Sequence, residues 1–417
     1  MVDYPGAASP PFRLSMLIYD RRYRSLTIQA VVFILVMLLA SWLIDNTLKN
    51  LAIMGKTLSF DFLFRRAGYD IPQQLIPYNS DDTHLRAATV GLLNTLQVSI
   101  LGCIAATVVG VIVGVLRLSQ NWLIARLMTI YVEVFRNIPL LLWILVILAI
   151  FTEVMPPPNA YRGESPRASM IMFDLVAPTN RYTAVPAIGL SNPPGTIAIG
   201  REGISWALIA FVVVLAGAWL GHRALRKSAK RVQDATGIRP VTWWKVLAMY
   251  LVPVLFLTWY FGLHLIPPVL RGFNFADGTN LDNALVVLWL ALTLYTGAFI
   301  AEIVRGGILA VSKGQTEAAY ALGLRPRRTM SLVVLPQALR VIVPPLISQY
   351  LNLTKNSSLA IAVGYMDLRG TLGGTTLNQT GREMECMVLM MGVYLLLSLI
   401  ISGGMNVFNS RVKLRER

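Results

Sequence analysis

The chain has 417 residues, of which 55% are hydrophobic and 14% charged, and its mean hydropathy is +0.59. Soluble domains carry roughly 25% charged residues, so this composition excludes a chain dissolved mainly in water. The net charge of +16 is spread between long apolar runs, whereas a nucleic-acid binder gathers Lys, Arg and aromatics on a soluble domain; the lipid bilayer is the expected partner, and nucleic acid is not.

A spanning helix needs about 20 mostly apolar residues. Eight stretches meet or approach this: 28–44, 89–116, 138–154, 204–221, 246–266, 283–301, 341–363 and 387–408. The third is short, and the seventh is interrupted by Pro344, Pro345 and Lys355. Together they predict an all-α membrane protein with about eight transmembrane helices. The first stretch is longer than the apolar region of a signal peptide and ends at Asp45 without a small-x-small cleavage site, so it is expected to be retained. The segment 45–88 is polar and balanced in charge. The segment 155–203 opens on Pro156-Pro157-Pro158 and later carries Pro193-Pro194-Gly195, so it is expected to resist regular structure. Cys103, inside an apolar run, and Cys386 are expected to be small buried side chains without a disulfide.

Basic residues set the orientation. With both termini inside, the inner segments hold about twice as many Lys and Arg as the outer ones, led by Arg223, Arg226, Lys227, Lys230 and Arg231. The positive-inside rule then places a multi-pass chain in the cell inner membrane with both termini cytoplasmic. Trp243 and Trp244, at the start of the fifth helix, fit an interfacial aromatic belt.

The most informative inner segment is 312–336. It contains Glu317-Ala318-Ala319, then Gly323, then Val333, Leu335 and Pro336. Ser312 is placed to cap a short helix, Gly323 to end it in a left-handed conformation, and Pro326 to open a second one that Pro336 would disturb. Ala318 and Ala319 would leave a smooth face for another protein. Glu317, Arg327 and Arg328 would offer it charges. This spacing resembles the EAA signature of permease subunits of ABC importers: Glu-Ala-Ala, three residues, Gly, nine residues, then Ile-x-Leu-Pro, with Val333 here in place of Ile.

Three further segments are similar to the polar amino acid permeases that serve histidine, glutamate, glutamine, arginine and opines: 91–96 (Gly-Leu-Leu-Asn-Thr-Leu), 131–141, which contains Glu133, Arg136 and Pro139, and 355–359 (Lys-Asn-Ser-Ser-Leu). The five-helix core of that family corresponds to 88–154 and 283–408. The chain adds a helix and outer loop (28–87) and, inside the core, a loop and helix pair joined by a basic cytoplasmic loop (155–282); 1–27 and 409–417 are cytoplasmic ends. This enlarged layout resembles the general L-amino-acid permease subunits of Gram-negative bacteria.

The resemblance implies import of L-amino acids of broad range, energised by ATP hydrolysis in another subunit. The implied partners are two copies of an ATP-binding subunit, a second and related permease subunit, and a periplasmic amino-acid-binding protein. ATP and Mg would be held by the partner ATPase, so no cofactor is expected in this chain. Glu317, Ala318, Ala319, Gly323, Leu335 and Pro336 would couple it to that ATPase.

A charge at the bilayer centre costs about 2.5–3.5 kcal/mol on insertion scales, so Lys355, with Asn356, Ser357 and Ser358, is a candidate for the substrate pathway. Structural pairing or snorkelling of Lys355 is the competing account. Glu133 and Arg136 share a helix face. Gly110 and Gly114 form a small-xxx-small pair suited to helix packing. Gly55-Lys56-Thr57 has Asn50 where a phosphate loop needs Gly. His84, His222 and His264 are scattered, so no metal site is expected, nor any catalytic residue. A secondary amino acid transporter driven by an ion gradient would account for the helices and Lys355. It would not account for the spacing within 312–336, and no inverted repeat is evident.

Overall fold

The computed structural model describes residues 16–163, 167–199 and 202–412. Most of the predicted segment 1–27, and 413–417 of the tail, lie outside the described residues. The chain divides into two units, Met1–Phe62 and Leu63–Arg417. In the first, helix α1 (Arg21–Ile53) exposes every large apolar side chain from Ile28 to Ile44. A helix that is apolar all round belongs in lipid or against another chain.

The second unit holds the bundle. Helix α2 (His84–Leu116) starts where the Thr83 side chain accepts a hydrogen bond from the Arg86 amide at 3.3 Å. Asn121 caps α3 (Trp122–Asn137), accepting from the amides of Leu123 and Ile124. Ile138 is extended before Pro139, as sterics ahead of a proline require, and the chain turns by 107° into α4 (Leu140–Ala149), which ends in a π-turn at Ile150–Val154. The short third apolar stretch thus becomes one arm of a bent pair. Phe135 stacks on Trp143 across the bend, with ring centroids 4.1 Å apart.

The loop expected to resist regular structure is instead partly stranded. It carries β1 (Ala177–Pro178), β2 (Tyr182–Val185), β3 (Ala187–Leu190), β4 (Thr196–Ile199) and β5 (Glu202–Ser205). Helices α5 (Trp206–Thr236) and α6 (Trp243–Tyr260) follow. Then come β6 (Leu263–Ile266), β7 (Val269–Arg271), β8 (Asn274–Ala276) and β9 (Thr279–Asp282). The predicted fifth span therefore stops at Tyr260, and its last residues are strand β6. Pro193 and Pro194 sit between strands β3 and β4; β2 pairs antiparallel with its neighbour β1 and with the distant β9, and β3 with the distant β6. The sheet is fixed to the next helix by Asn283, which donates to the Thr179 carbonyl at 2.8 Å and accepts from the Thr183 hydroxyl at 3.0 Å.

Helix α7 (Asn283–Leu309) is the centre of the bundle and lies along α2. Between lipid-embedded helices, close packing has to supply the attraction that water supplies elsewhere. A β-carbon at Gly110 would come within 2.6 Å of Ile300 Cβ, and one at Gly114 within 2.7 Å of the Ala301 carbonyl. The small-xxx-small pair thus brings α2 onto α7. After α8 (Lys313–Ala321) and α9 (Pro326–Thr329), a π-turn at Met330–Val334 leads into α10 (Leu335–Asn356), a 3-10 stretch (Ser357–Val363), three short helical pieces within 368–380 and α11 (Glu383–Val412). Helix α10 runs through Pro344 and Pro345 without ending. The described residues hold seven helices long and apolar enough to cross a membrane, and eight when the bent pair counts as one span.

Candidate coupling loop and polar core

Helix α8 ends as its sequence dictates. Gly323 has φ +74°, its amide donates to the Tyr320 carbonyl at 2.9 Å, and the Leu324 amide donates to the Ala319 carbonyl at 3.1 Å. These two bonds make a Schellman cap, which satisfies carbonyls that the helix leaves open. Nothing lies within 4 Å of where a Gly323 β-carbon would be. Glycine is needed there for its backbone angle, not for space.

Other expectations for this loop are revised. The Ser312 side chain makes no capping bond; its carbonyl instead accepts from the Gln315 amide at 3.1 Å. The two alanines separate, because they are neighbours on a helix: Ala319 is buried and Ala318 is exposed beside Glu317. Pro336 does not break the second helix. It sits in the first turn of α10, where its missing amide costs nothing. The chain from Pro326 to Val363 is therefore one continuous helical segment. Leu335 is exposed and Pro336 half-buried. Gln337 on α10 donates to the Gln315 side chain of α8 at 3.4 Å, tying the loop to the spanning helix. Arg325, Arg327 and Arg328 are exposed beside it.

The candidate pathway residues do not form one cluster. Ser357 is fully buried and donates to the Thr354 carbonyl at 2.7 Å; Ser358 donates to the Lys355 carbonyl at 2.8 Å. Both hydroxyls thus spend their protons on their own backbone, as serine in a helix often does. Asn356 is half-buried, and Lys355 is exposed in the last turn of α10. There the negative end of the helix dipole favours a cation.

A family model described as the binding-protein-dependent transport system inner membrane component matches residues 213–414. The glutamate/glutamine/aspartate/asparagine transport system permease protein BztB of Rhodobacter capsulatus is 58% identical over 99% of both chains. The general L-amino acid transport system permease protein AapQ of Rhizobium johnstonii is 43% identical over 97% of this chain and 96% of its own. A second Rhodobacter capsulatus permease, BztC, is 43% identical over 22% of this chain and 20% of its own. The chain belongs to this family of ABC importer permeases.

In this multi-pass inner-membrane permease, two polar groupings escaped the sequence. The first is an ion network. Arg117, just past the end of α2, pairs with Glu302 on α7, and Arg305 donates to the same carboxylate at 2.6 and 3.2 Å. Arg117 was visible only as one more basic residue in a loop. The second gathers around the start of α2. Asn94, fully buried, donates to the carbonyls of Gln73 and Met366 at 2.8 and 2.9 Å. Thr95 accepts from the Leu368 amide at 3.0 Å. Asp367, also fully buried, accepts from the Gly370 amide at 2.8 Å and from the Tyr394 hydroxyl at 3.2 Å. Burial pushes its carboxyl up to about 6, and those hydrogen bonds hold it from going higher. A β-carbon on Gly91 would stand 2.1 Å from Thr371 Oγ1, so only glycine lets this segment approach α2 so closely. The Asn-Thr pair lies in the segment 91–96, but Met366 and Leu368, two of its partners, lie more than 270 residues away, beyond the reach of local sequence reading.

Proposed function

We propose that this permease moves L-amino acids of broad range, acidic ones and their amides among them, into the cytoplasm. The observation that carries the substrate class is the full-length likeness to permeases named for glutamate, glutamine, aspartate and asparagine and for general L-amino acids. In this reading the chain has no ATPase site of its own. Two copies of a separate subunit hydrolyse ATP with Mg, a second related permease completes the pathway, and a periplasmic binding protein delivers substrate. The likeness to both BztB and BztC, two permeases of one named system, supports a partner permease of a different sequence. Both termini are cytoplasmic, which the basic residues of the inner segments favour.

Coupling runs through 312–336. The exposed Glu317 and Ala318, the capped stop at Gly323 and the exposed arginines face the ATPase. Ala319 and Pro336 hold the short helix to its support, and Leu335 starts the rigid segment that carries movement into the membrane. Lys355 lies along the substrate path as an exposed cation suited to a carboxylate, with Asn356 beside it; Ser357 and Ser358 shape the turn that presents them. Coupling of this kind needs contacts that differ between two states.

The test is ATP-dependent uptake of labelled amino acids by proteoliposomes holding this chain, a partner permease, the ATPase and the binding protein. Uptake of glutamate and glutamine, lost with Glu317→Lys or Gly323→Asp in complexes that still assemble, is the expected result. An assembled complex that moves no amino acid overturns the substrate class. Undiminished uptake by both variants overturns the coupling assignment.

A further inference from the structure

Helix α5 is longer than a membrane needs. At 1.5 Å per residue its 31 residues reach about 46 Å, against a hydrocarbon core about 30 Å thick. Counted from Trp206, about 20 residues span, and the helix leaves the hydrocarbon near Arg226. From there Arg226, Lys230, Gln233 and Asp234 follow one another along one face at helical spacing. Gly237, at φ +72°, ends the helix by donating to the Gln233 carbonyl at 2.8 Å, and the chain doubles back so that Arg239 meets the same face. The result is a cavity of about 300 Å³ lined by Arg226, Lys230, Gln233, Asp234 and Arg239.

Three cations and one carboxylate line this cavity. Among the described residues, none of the four forms an ion pair within 4.0 Å, so the positive charge is not neutralised by the chain. The surroundings mark the depth at which the cavity sits. One turn nearer the membrane, the Arg223 guanidinium lies over the Trp219 ring at 3.6 Å. At the start of α6, Trp243 and Trp244 are exposed, with Lys245 5.4 Å over Trp244. Tryptophan collects at the headgroup level of a bilayer. These tryptophans mark the headgroup level on α5 and α6, the level at which a lipid phosphate lies with the complementary charge.

We propose that this cavity binds the phosphate-bearing headgroup of an anionic phospholipid, fixing the inserted helix pair to the cytoplasmic leaflet. The proposal rests on the orientation given above and is independent of the transported substrate. Arg226, Lys230 and Arg239 hold the phosphate, Gln233 donates to its oxygens or to the glycerol, and Asp234 accepts from a headgroup hydroxyl.

Native mass spectrometry of the full-length chain tests it, using phosphatidylglycerol, cardiolipin and phosphatidylcholine as probes in neutral detergent. The anionic lipids should be retained about tenfold over phosphatidylcholine, and most of that preference should vanish in the triple variant Arg226→Gln, Lys230→Gln, Arg239→Gln. The same number of charges removed elsewhere, by Arg126→Gln, Arg162→Gln and Arg181→Gln, should leave it. Where the triple variant does not fold, the unaltered chain serves: phosphatidylglycerol vesicles should slow labelling of Lys230 by an amine-reactive ester, and phosphatidylcholine vesicles should not. Equal retention of all three lipids, or a preference unchanged in the triple variant, overturns the proposal. So does protection of Lys230 by millimolar inorganic phosphate as strong as by the vesicles, which assigns the cavity to a soluble anion. Protection by the ATPase subunit alone assigns it to an acidic protein surface and also overturns it.

Discussion

Ile342 of α10 sits directly on Gly307 of α7: a β-carbon on that glycine would lie 2.3 Å from Ile342 Cγ1 and 3.4 Å from the Ala338 carbonyl. The segment that begins at the coupling loop therefore crosses the central helix of the bundle at a point with no room to spare. Gly307→Ala should destabilise the permease by about 1–3 kcal/mol through overpacking. Adding Ile342→Ala should recover part of that loss, since the two side chains share one space. Denaturation of the purified single and double variants in detergent measures this; additive losses would show that the crossing yields freely.

Gly323 makes a different demand. Alanine there meets no neighbour but must hold φ +74°, at a cost of about 1–2 kcal/mol. Asparagine, which tolerates that region better, should cost less. ATP-driven uptake should follow the order Gly, Asn, Ala, with aspartate lowest because it also brings a negative charge to the helix end. Equal uptake by Ala and Asn variants would detach coupling from the backbone angle.

The carboxylate of Glu302 lies between two guanidinium groups, and the Arg117 side chain is only 8% exposed. Glu302→Gln leaves Arg117 buried without its counter-charge and should cost about 3 kcal/mol. Arg305→Met, at a side chain 32% exposed, should cost well under half of that. Thermal unfolding of both variants checks the order.

Asp367 sets a pH dependence. Its carboxyl titrates at about 6 in the fold against an ordinary value of 3.8. The folded chain therefore binds a proton that the unfolded chain has released across that window. Stability should fall as pH rises from about 4 to about 6 and level off above, where the buried carboxylate carries its full desolvation cost. Asp367→Asn should flatten this slope in Tm measured against pH. A slope unchanged in the variant would place the proton elsewhere.

Much of the permease was legible in its sequence. The number of spans, the stop at Gly323 and the close approach at Gly110 and Gly114 follow from local chemistry: apolar length, a backbone angle that glycine tolerates, and the absence of a side chain. The strands of 177–282, the separation of Ala318 from Ala319, and the pairing of Arg117 with Glu302 were decided only by the tertiary structure. Strands of two to four residues carry too little periodicity to be read locally, and β2 is held by a partner about a hundred residues on. Which of two adjacent alanines faces inward depends on what α8 rests against. A buried ion pair exists only once two distant helices have brought their ends together, because neither charge is stable at that depth without the other.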